Sequence, residues 1–307
     1  MNPYPKPSAT GGTLIRKVMA LFKEQGFELP MSYPVLIAVS GGLDSMTLAH
    51  LISRYGRKII APELITLLHL DHGWRAESGT TEKEGVALLA EKLGVKFLHR
   101  KLEFCASSQR SENREEDARI KRTEVYESLA GEEFTYRFVL TAHHQDDLAE
   151  TLFWRFARGE LIENRAGILF KDFCVLRPLL KVSKELLRSY ASEESISFFE
   201  DPTNQDTQSF RAWYRKKLLP ELQNQFPRFN QTLARYAEDE GRIEASPLAE
   251  VIQTVTSSRV NRAQRKALQE LTASAKVGSR LSLAGGIVLT RVKTGFLIEN
   301  LNGPKKI

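Results

Sequence analysis

The sequence predicts an α/β protein built on a doubly wound, mainly parallel sheet, joined to a mainly helical C-terminal domain. Three observations carry this. Nearly continuous apolar runs at 35–39, 64–70, 95–98 and 137–142 alternate with stretches of helical periodicity, the pattern of strands buried on both faces and connected by crossover helices. The first run feeds the glycine-rich turn Ser40-Gly41-Gly42-Leu43-Asp44-Ser45. The fourth feeds His143-His144-Gln145-Asp146-Asp147, so polar clusters stand at carboxyl ends of strands, where open α/β sheets place their ligand crevice.

Element by element, Leu14, Val18, Leu21 and Phe22 recur at helical spacing and predict an N-terminal helix packed on the sheet. The first strand and its turn lead into a helix over 45–54. Thr81 and Glu84 form a capping box for a helix over 81–93, and Gly94 stops it. A third helix covers 112–129. From 146 to 222 the pattern is mainly helical, interrupted by an extended segment at 173–179. Pro220 and Phe226-Pro227 mark a boundary, so the expected division is 1–222, with its helical part at 146–222, and a small basic domain at 223–307. Beyond the boundary come helical patterns at 233–245 and 262–271, then short strands from Leu281 to Ile298 separated by glycine turns.

Composition narrows the function. The chain has 307 residues, enough for two domains, and two cysteines, Cys105 and Cys174, without CxxC spacing; a disulfide framework, a zinc site and an iron–sulfur cluster are not suggested. The polar, proline-rich start and the lack of a long apolar run point to a soluble cytoplasmic protein with no membrane partner. Net charge is +6, and residues 205–307 carry 17 Lys and Arg against 9 Asp and Glu. That excess suits a polyanion such as nucleic acid, or only a soluble basic surface.

Five segments carry chemistry. In Ser40 to Ser45, adjacent glycines permit positive φ, so backbone N–H groups can converge on an anion while the two serines add donors. The expected ligand is ATP, with Asp44 as a ligand for Mg²⁺; a plain turn is the alternative. No lysine follows the last glycine, so this is not a Walker A loop, and cleavage between the α and β phosphates is indicated. In the second segment, Asp146 is read as a helix cap with Asp147 and Glu150 on the same face, while Leu148, Leu152, Phe153 and Phe156 cover the core side. Those carboxylates, with His143 or His144, suit metal binding, an amine or proton transfer. Third, Asp71 to Ser78 offers His72 and Arg75 to a phosphate or base, or merely caps a helix. Finally, Arg119 and Arg122 lie at i, i+3, and Arg211, Arg215, Lys216 and Lys217 interleave with Phe210, Trp213 and Tyr214. Both basic stretches fit either RNA contacts or an ordinary solvated helix.

Taken in order, SGGLDS, LDHGWRAES, AR with Arg122, TAHHQDDLAET, LRPLL and DPTNQDTQSFR followed by KKLLPEL resemble the tRNA(Ile)-lysidine synthetases, a branch of the PP-loop ATP pyrophosphatases. The resemblance covers about residues 33–222. It implies an adenine nucleotide alpha hydrolase-like fold, a C-terminal tRNA-binding part, and ATP with Mg²⁺ as substrate and cofactor. The implied reaction joins L-lysine to C2 of cytidine 34 in the CAU anticodon of tRNA(Ile), through an adenylated cytidine, releasing diphosphate and AMP. Codon reading then passes from AUG to AUA, and amino-acid specificity from methionine to isoleucine. The resemblance implies that Ser40 to Ser45 cradle ATP and Asp44 holds Mg²⁺. It further implies that Asp146, Asp147 and Glu150 hold the lysine, that His143 or His144 assists proton transfer, and that His72, Arg75, Arg119, Arg211, Arg215 and Lys216 meet nucleotide or tRNA. Two segments depart from the family pattern. Ala212 stands where an asparagine is usual, and residues 160–168 replace a glycine-rich stretch. A tRNA thiolase on the same loop and a non-catalytic, nucleotide-regulated RNA-binding protein are the alternatives, and a homodimer is left open.

Overall fold

The computed structural model describes residues 6–73, 76–104, 114–158, 167–199, 210–234, 276, 278–283, 287–292 and 295–300. Its contacts divide into two compact units, Met1–Glu150 with Ile168–Ala234, and Thr151–Gly167 with Arg235–Ile307.

The first unit holds a six-stranded sheet in the order β3-β2-β1-β4-β6-β5. Its strands are β1 (Val35–Ala38), β2 (Ile65–Asp71), β3 (Lys96–Lys101), β4 (Phe138–Leu140), β5 (Lys171–Asp172) and β6 (Val175–Leu176). All pairs are parallel except β5 with β6. Leu36, Ile37, Leu67, Leu68, Val139 and Leu140 are fully buried, because helices cover both faces and leave no solvated side to alternate with. The extended segment expected at 173–179 contains β6, and the preceding β5 folds back on it.

Helix α1 (Ala9–Glu24) starts at Ser8, whose hydroxyl accepts the Gly11 N–H at 3.1 Å, and it buries Leu14, Val18, Leu21 and Phe22 as the periodicity predicts. The crossovers are α2 (Leu43–Tyr55), α3 (Ala76–Leu93) and α4 (Arg114–Leu129). Helix α3 begins at Ala76, so Thr81 and Glu84, predicted as its capping box, lie inside it and do not cap it. The preceding turn is fixed instead by Asp71, whose Oδ1 accepts the Gly73 N–H at 2.7 Å, and no proline in 76–80 stops the helix from continuing back.

The topology dictates where a ligand goes. The chain lays β1, β2 and β3 outward on one side, then returns to place β4 on the other side of β1. The strand order therefore reverses between β1 and β4, and the crevice at their carboxyl ends is the site that doubly wound sheets use. Helix α5 (Gln145–Ala157) begins just past β4, and α6 (Lys184–Glu193) follows β6. Later come α7 (Phe210–Trp213), a π-helical turn at Tyr214–Leu218 and α8 (Leu219–Gln225). Residues 223–234, expected beyond the domain boundary, group with the first unit.

In the second unit, β7 (Arg280–Leu283), β8 (Ile287–Val292) and β9 (Gly295–Asn300) form an antiparallel meander, the arrangement that the glycine-separated strands predict. The helical patterns from 235 onward lie outside the described residues. Among the described residues no helix is long and apolar enough to cross a membrane.

Candidate active site at the carboxyl ends of β1 and β4

The loop after β1 is built by its serines. Ser45 Oγ accepts the Ser40 N–H at 3.1 Å, lies 3.1 Å from Ser40 Oγ and donates to the Gly42 carbonyl at 3.0 Å. These bonds close the turn against the first residues of α2, whose leading N–H groups have no partner within the helix. Gly41 has φ +90°, and a Cβ there would meet Glu82 and Phe199 at 3.3 Å; its carbonyl also accepts the Phe199 N–H at 3.0 Å. A side chain at position 41 would be strained by backbone and neighbours alike.

Across the crevice, α5 starts two residues earlier than a cap at Asp146 would give. Asp146 is not its cap; the helix opens at Gln145, and Asp147 Oδ2 reaches back to the His144 N–H at 3.0 Å. This is the reciprocal half of a capping box, in which a third-position acid satisfies the amide before the helix. The reach-back draws His144 inward, and the residue is 2% exposed. Its Nε2 lies 3.5 Å from Asp44 Oδ2 and 3.5 Å from Asp147 Oδ2, and its Nδ1 lies 3.6 Å from Asp146 Oδ2 and 3.2 Å from the Asp146 amide. The neutral ring takes the Asp146 N–H on Nδ1. The protonated ring has two N–H donors, and the carboxylates around it are the acceptors available to them.

The electrostatics follow from this packing. Burial alone would depress the His144 pKa, but the hydrogen bond to Asp44 and the charges of Asp147, Asp44 and Asp146 outweigh it and hold the pKa above the usual imidazole value. Burial likewise opposes ionisation of Asp44, yet His144 and the Lys184 ammonium keep that carboxyl below its ordinary value. Lys184 Nζ stands 3.3 Å from Asp44 Oδ2, and the Lys184 amide donates to Asp146 Oδ2 at 2.8 Å. Asp44 Oδ1 is buried with no hydrogen-bond partner.

Arg215 ties the later helix to α5. Its Nε lies 2.5 Å from Glu150 Oε2 and its Nη2 lies 2.8 Å from Asp147 Oδ1. Glu150 is nearly fully buried, so this bond satisfies a carboxylate with little access to water. The π-helical turn at Tyr214–Leu218 carries both Arg215 and the fully buried Tyr214. Burial, followed by the charges of Glu150 and Asp146, raises the Tyr214 pKa. Asn230 completes the group by donating from Nδ2 to Asp146 Oδ1 at 2.6 Å.

The structure thus brings together Asp44, Asp146, Asp147, Glu150 and Arg215. Arg215, expected to meet phosphates, is engaged by carboxylates. His143 reaches solvent, yet the protein crowding its ring pushes its pKa down to about 4; its Nδ1 lies 3.0 Å from Thr141 Oγ1, whereas His144 is the imidazole among the acids. His72 lies past β2 and its pKa falls to about 4, through burial first and the Arg122 guanidinium next. Arg119 and Lys216 are exposed on their helices. Arg75, the turn at 201–206 and the departure at 160–166 lie outside the described residues, as does the Arg211 side chain. Phe156, expected to cover the core, is 65% exposed, while Leu148 and Leu152 are buried. Trp213 is exposed and its neighbour Tyr214 takes the interior. Lys184 and Asn230 were not foreseen: Ser183-Lys184-Glu185 reads locally as a helix start, and Asn230 lies past the Phe226-Pro227 boundary signal.

Comparison with known proteins agrees with this geometry. A tRNA(Ile)-lysidine synthase of Thermus thermophilus is 36% identical over 236 residues, covering 75% of this chain and 45% of that protein. Those of Lactococcus lactis and Pseudomonas putida are 34% and 31% identical over 225 and 210 residues, covering 71% and 67% of this chain and 48% and 47% of theirs. The chain spans about half the length of these curated relatives. Among solved structures, the U34-tRNA thiolase NcsA from Methanococcus maripaludis, with its 4Fe-4S cluster, aligns with a TM-score of 0.62 over 83% of this chain and 87% of its own, at 15% identity, a likeness of fold. The PP-loop domain family matches residues 13–222, which hold the serine-closed loop, both strand ends and Arg215. The chain belongs to the PP-loop domain family.

Proposed function

We propose that this protein ligates L-lysine to C2 of cytidine 34 in the CAU anticodon of tRNA(Ile), using ATP. The observation that carries the reading is the meeting of the ATP-loop aspartate with the α5 carboxylates on one buried imidazole: Asp44, Asp146 and Asp147 all lie within 3.6 Å of His144. An adenylating centre and a centre for a cationic amine then share one crevice.

The residues present fit Mg²⁺. Asp44 offers a buried carboxylate oxygen with no partner, and Mg²⁺ in nucleotide sites takes one or two carboxylates together with phosphate oxygens. Asp44 would hold the ion, which when bound supplies charge neutralisation on the phosphates. Ser40 to Ser45 cradle the phosphates through the loop and the leading amides of α2. Cytidine O2 attacks the α phosphorus, and diphosphate departs with the bonding pair. The lysine side-chain amine first gives a proton to a carboxylate of the cluster and then attacks C2; the C2–O2 bond breaks and AMP leaves with the O2 oxygen. Catalysis comes from positioning and fixed charge rather than from a protein nucleophile.

Asp146, Asp147 and Glu150 receive the lysine. Because Arg215 already occupies Asp147 and Glu150, binding of the amine exchanges one cation for another at those oxygens. His144 holds the acids in register and takes up or gives up a proton among them, and the exposed His143 stands closer to bulk water. The basic residues 223–307, Arg119, Arg211 and Lys216 are assigned to tRNA contacts, and His72 and Arg75 to contacts with the nucleotide or the RNA. An anticodon base is already largely unpaired, so presenting it to the crevice costs little.

The test is incorporation. Protein, tRNA(Ile) bearing CAU, labelled lysine and Mg-ATP should yield lysine fixed in the tRNA with one AMP per lysine. Tight tRNA binding without incorporation would favour a binding module, and sulfur transfer to the tRNA would favour the thiolase reading.

A further inference from the structure

We propose that Lys184 supplies the cation that the glycine-rich loop itself lacks, and that its ammonium contacts the β and γ phosphates of bound ATP. This rests on the ATP-binding reading of the loop and extends it to a residue 140 positions away in sequence.

Three observations place Lys184 there. Neither the loop Ser40 to Ser45 nor the helix it opens contains a lysine, so the diphosphate leaving group has no lysine from its own cradle. Lys184 Nζ lies 3.3 Å from Asp44 Oδ2 at the start of α2, beside the leading amides where the phosphates would sit. Its backbone is pinned, with the amide on Asp146 Oδ2 at 2.8 Å and Ser183 Oγ accepting the Leu186 N–H at 3.4 Å, so the Cα–Cβ bond leaves α6 from a fixed point within reach of the loop.

The two side chains are part-buried, 32% and 28% exposed, and the ammonium helps keep the Asp44 carboxyl ionised against burial, so the pair holds Lys184 at the loop in the ligand-free protein. A lysine in the first turn of α6 stands at the positive end of the helix, where a cation is disfavoured. The position makes sense for a phosphate. With Asp44 engaged by a bound Mg²⁺, the Lys184 ammonium would be free to meet the phosphate oxygens beside it. As the bond from O2 to the α phosphorus forms and the α–β bridge breaks, the electron pair stays on diphosphate, and Lys184 neutralises that charge without transferring a proton.

Binding of Mg-ATP and of AMP to the full chain, measured by calorimetry without tRNA or lysine, tests the proposal in wild type, Lys184→Ala and Lys184→Arg. The expected result is an ATP affinity about tenfold weaker or worse in Lys184→Ala, an AMP affinity changed by less than about twofold, and substantial recovery of ATP binding in Lys184→Arg, because the lost contact is to phosphates that AMP does not have. Unchanged ATP affinity in Lys184→Ala overturns the proposal. So does a parallel loss for ATP and AMP, which would mean that Lys184 only shapes the loop. Wild-type protein that binds no ATP overturns the ATP reading and this inference with it.

Discussion

Replacing Arg215 by methionine would leave Glu150, a carboxylate 5% exposed, without the guanidinium that now stands 2.5 Å from it. Breaking a fully buried ion pair by removing one partner costs about 3–5 kcal/mol, and an exposed pair contributes about 0–1 kcal/mol. Here the acid is buried and the arginine is 47% exposed, so the loss falls between these limits, at about 2 kcal/mol. For a unit of this size that lowers Tm by roughly 4–8 °C. Glu150→Gln removes the charge that needed a partner and leaves Arg215 its bond to Asp147, so it should cost less, about 1 kcal/mol. The double variant Arg215→Met/Glu150→Gln should be more stable than the sum of the two losses by about 1 kcal/mol or more. Urea and thermal unfolding of the ligand-free protein measure all four corners of the cycle. Losses that add to within about 0.5 kcal/mol would refute the argument, because they would mean that Arg215 does not neutralise Glu150.

Two further perturbations separate the parts of the site. Asp44→Ala should abolish AMP and diphosphate formation while tRNA affinity, measured by filter binding, stays within about threefold, since most of the excess positive charge lies in the C-terminal third; AMP formation at the wild-type rate would refute the role of Asp44. For His144, the folded-state pKa is held above the usual value, mainly against burial, by Asp44, Asp147 and Asp146. Its charged form therefore stabilises the fold fully below the unfolded pKa of about 6.5, and that contribution disappears as pH rises through the higher folded pKa. The stability gap between wild type and His144→Gln, from urea unfolding at pH steps between about 5.5 and 8, should be widest at the acid end; a gap that widens with rising pH contradicts the assignment of His144 as the cluster's cation.

The parallel strands were legible because each is an uninterrupted apolar run between helical patterns, and the loop at 40–45 because glycine and serine at a strand end have few other uses. The terminal meander was legible from its glycine turns. Helix starts were less so. Thr81 and Asp146 look like caps in isolation, but Asp71 fixes one turn and the reach-back of Asp147 fixes the other. The identity of the central imidazole was hidden for the same reason: His143 and His144 are adjacent and chemically alike, and only the cap geometry sends one inward. Lys184, Arg215 and Asn230 reach the crevice from elements far along the chain, and no local pattern encodes those approaches.

The central claim is that the serine-closed loop activates the RNA before the carboxylate cluster delivers lysine. ATP labelled at the α phosphate, incubated with the protein, Mg²⁺ and tRNA(Ile) bearing CAU but without lysine, tests it most directly. Label should appear on the tRNA with one diphosphate released for each, and lysine added afterwards should discharge it as AMP while becoming bound to the RNA. Label that never reaches the tRNA, or that appears on lysine in reactions lacking tRNA, would contradict it.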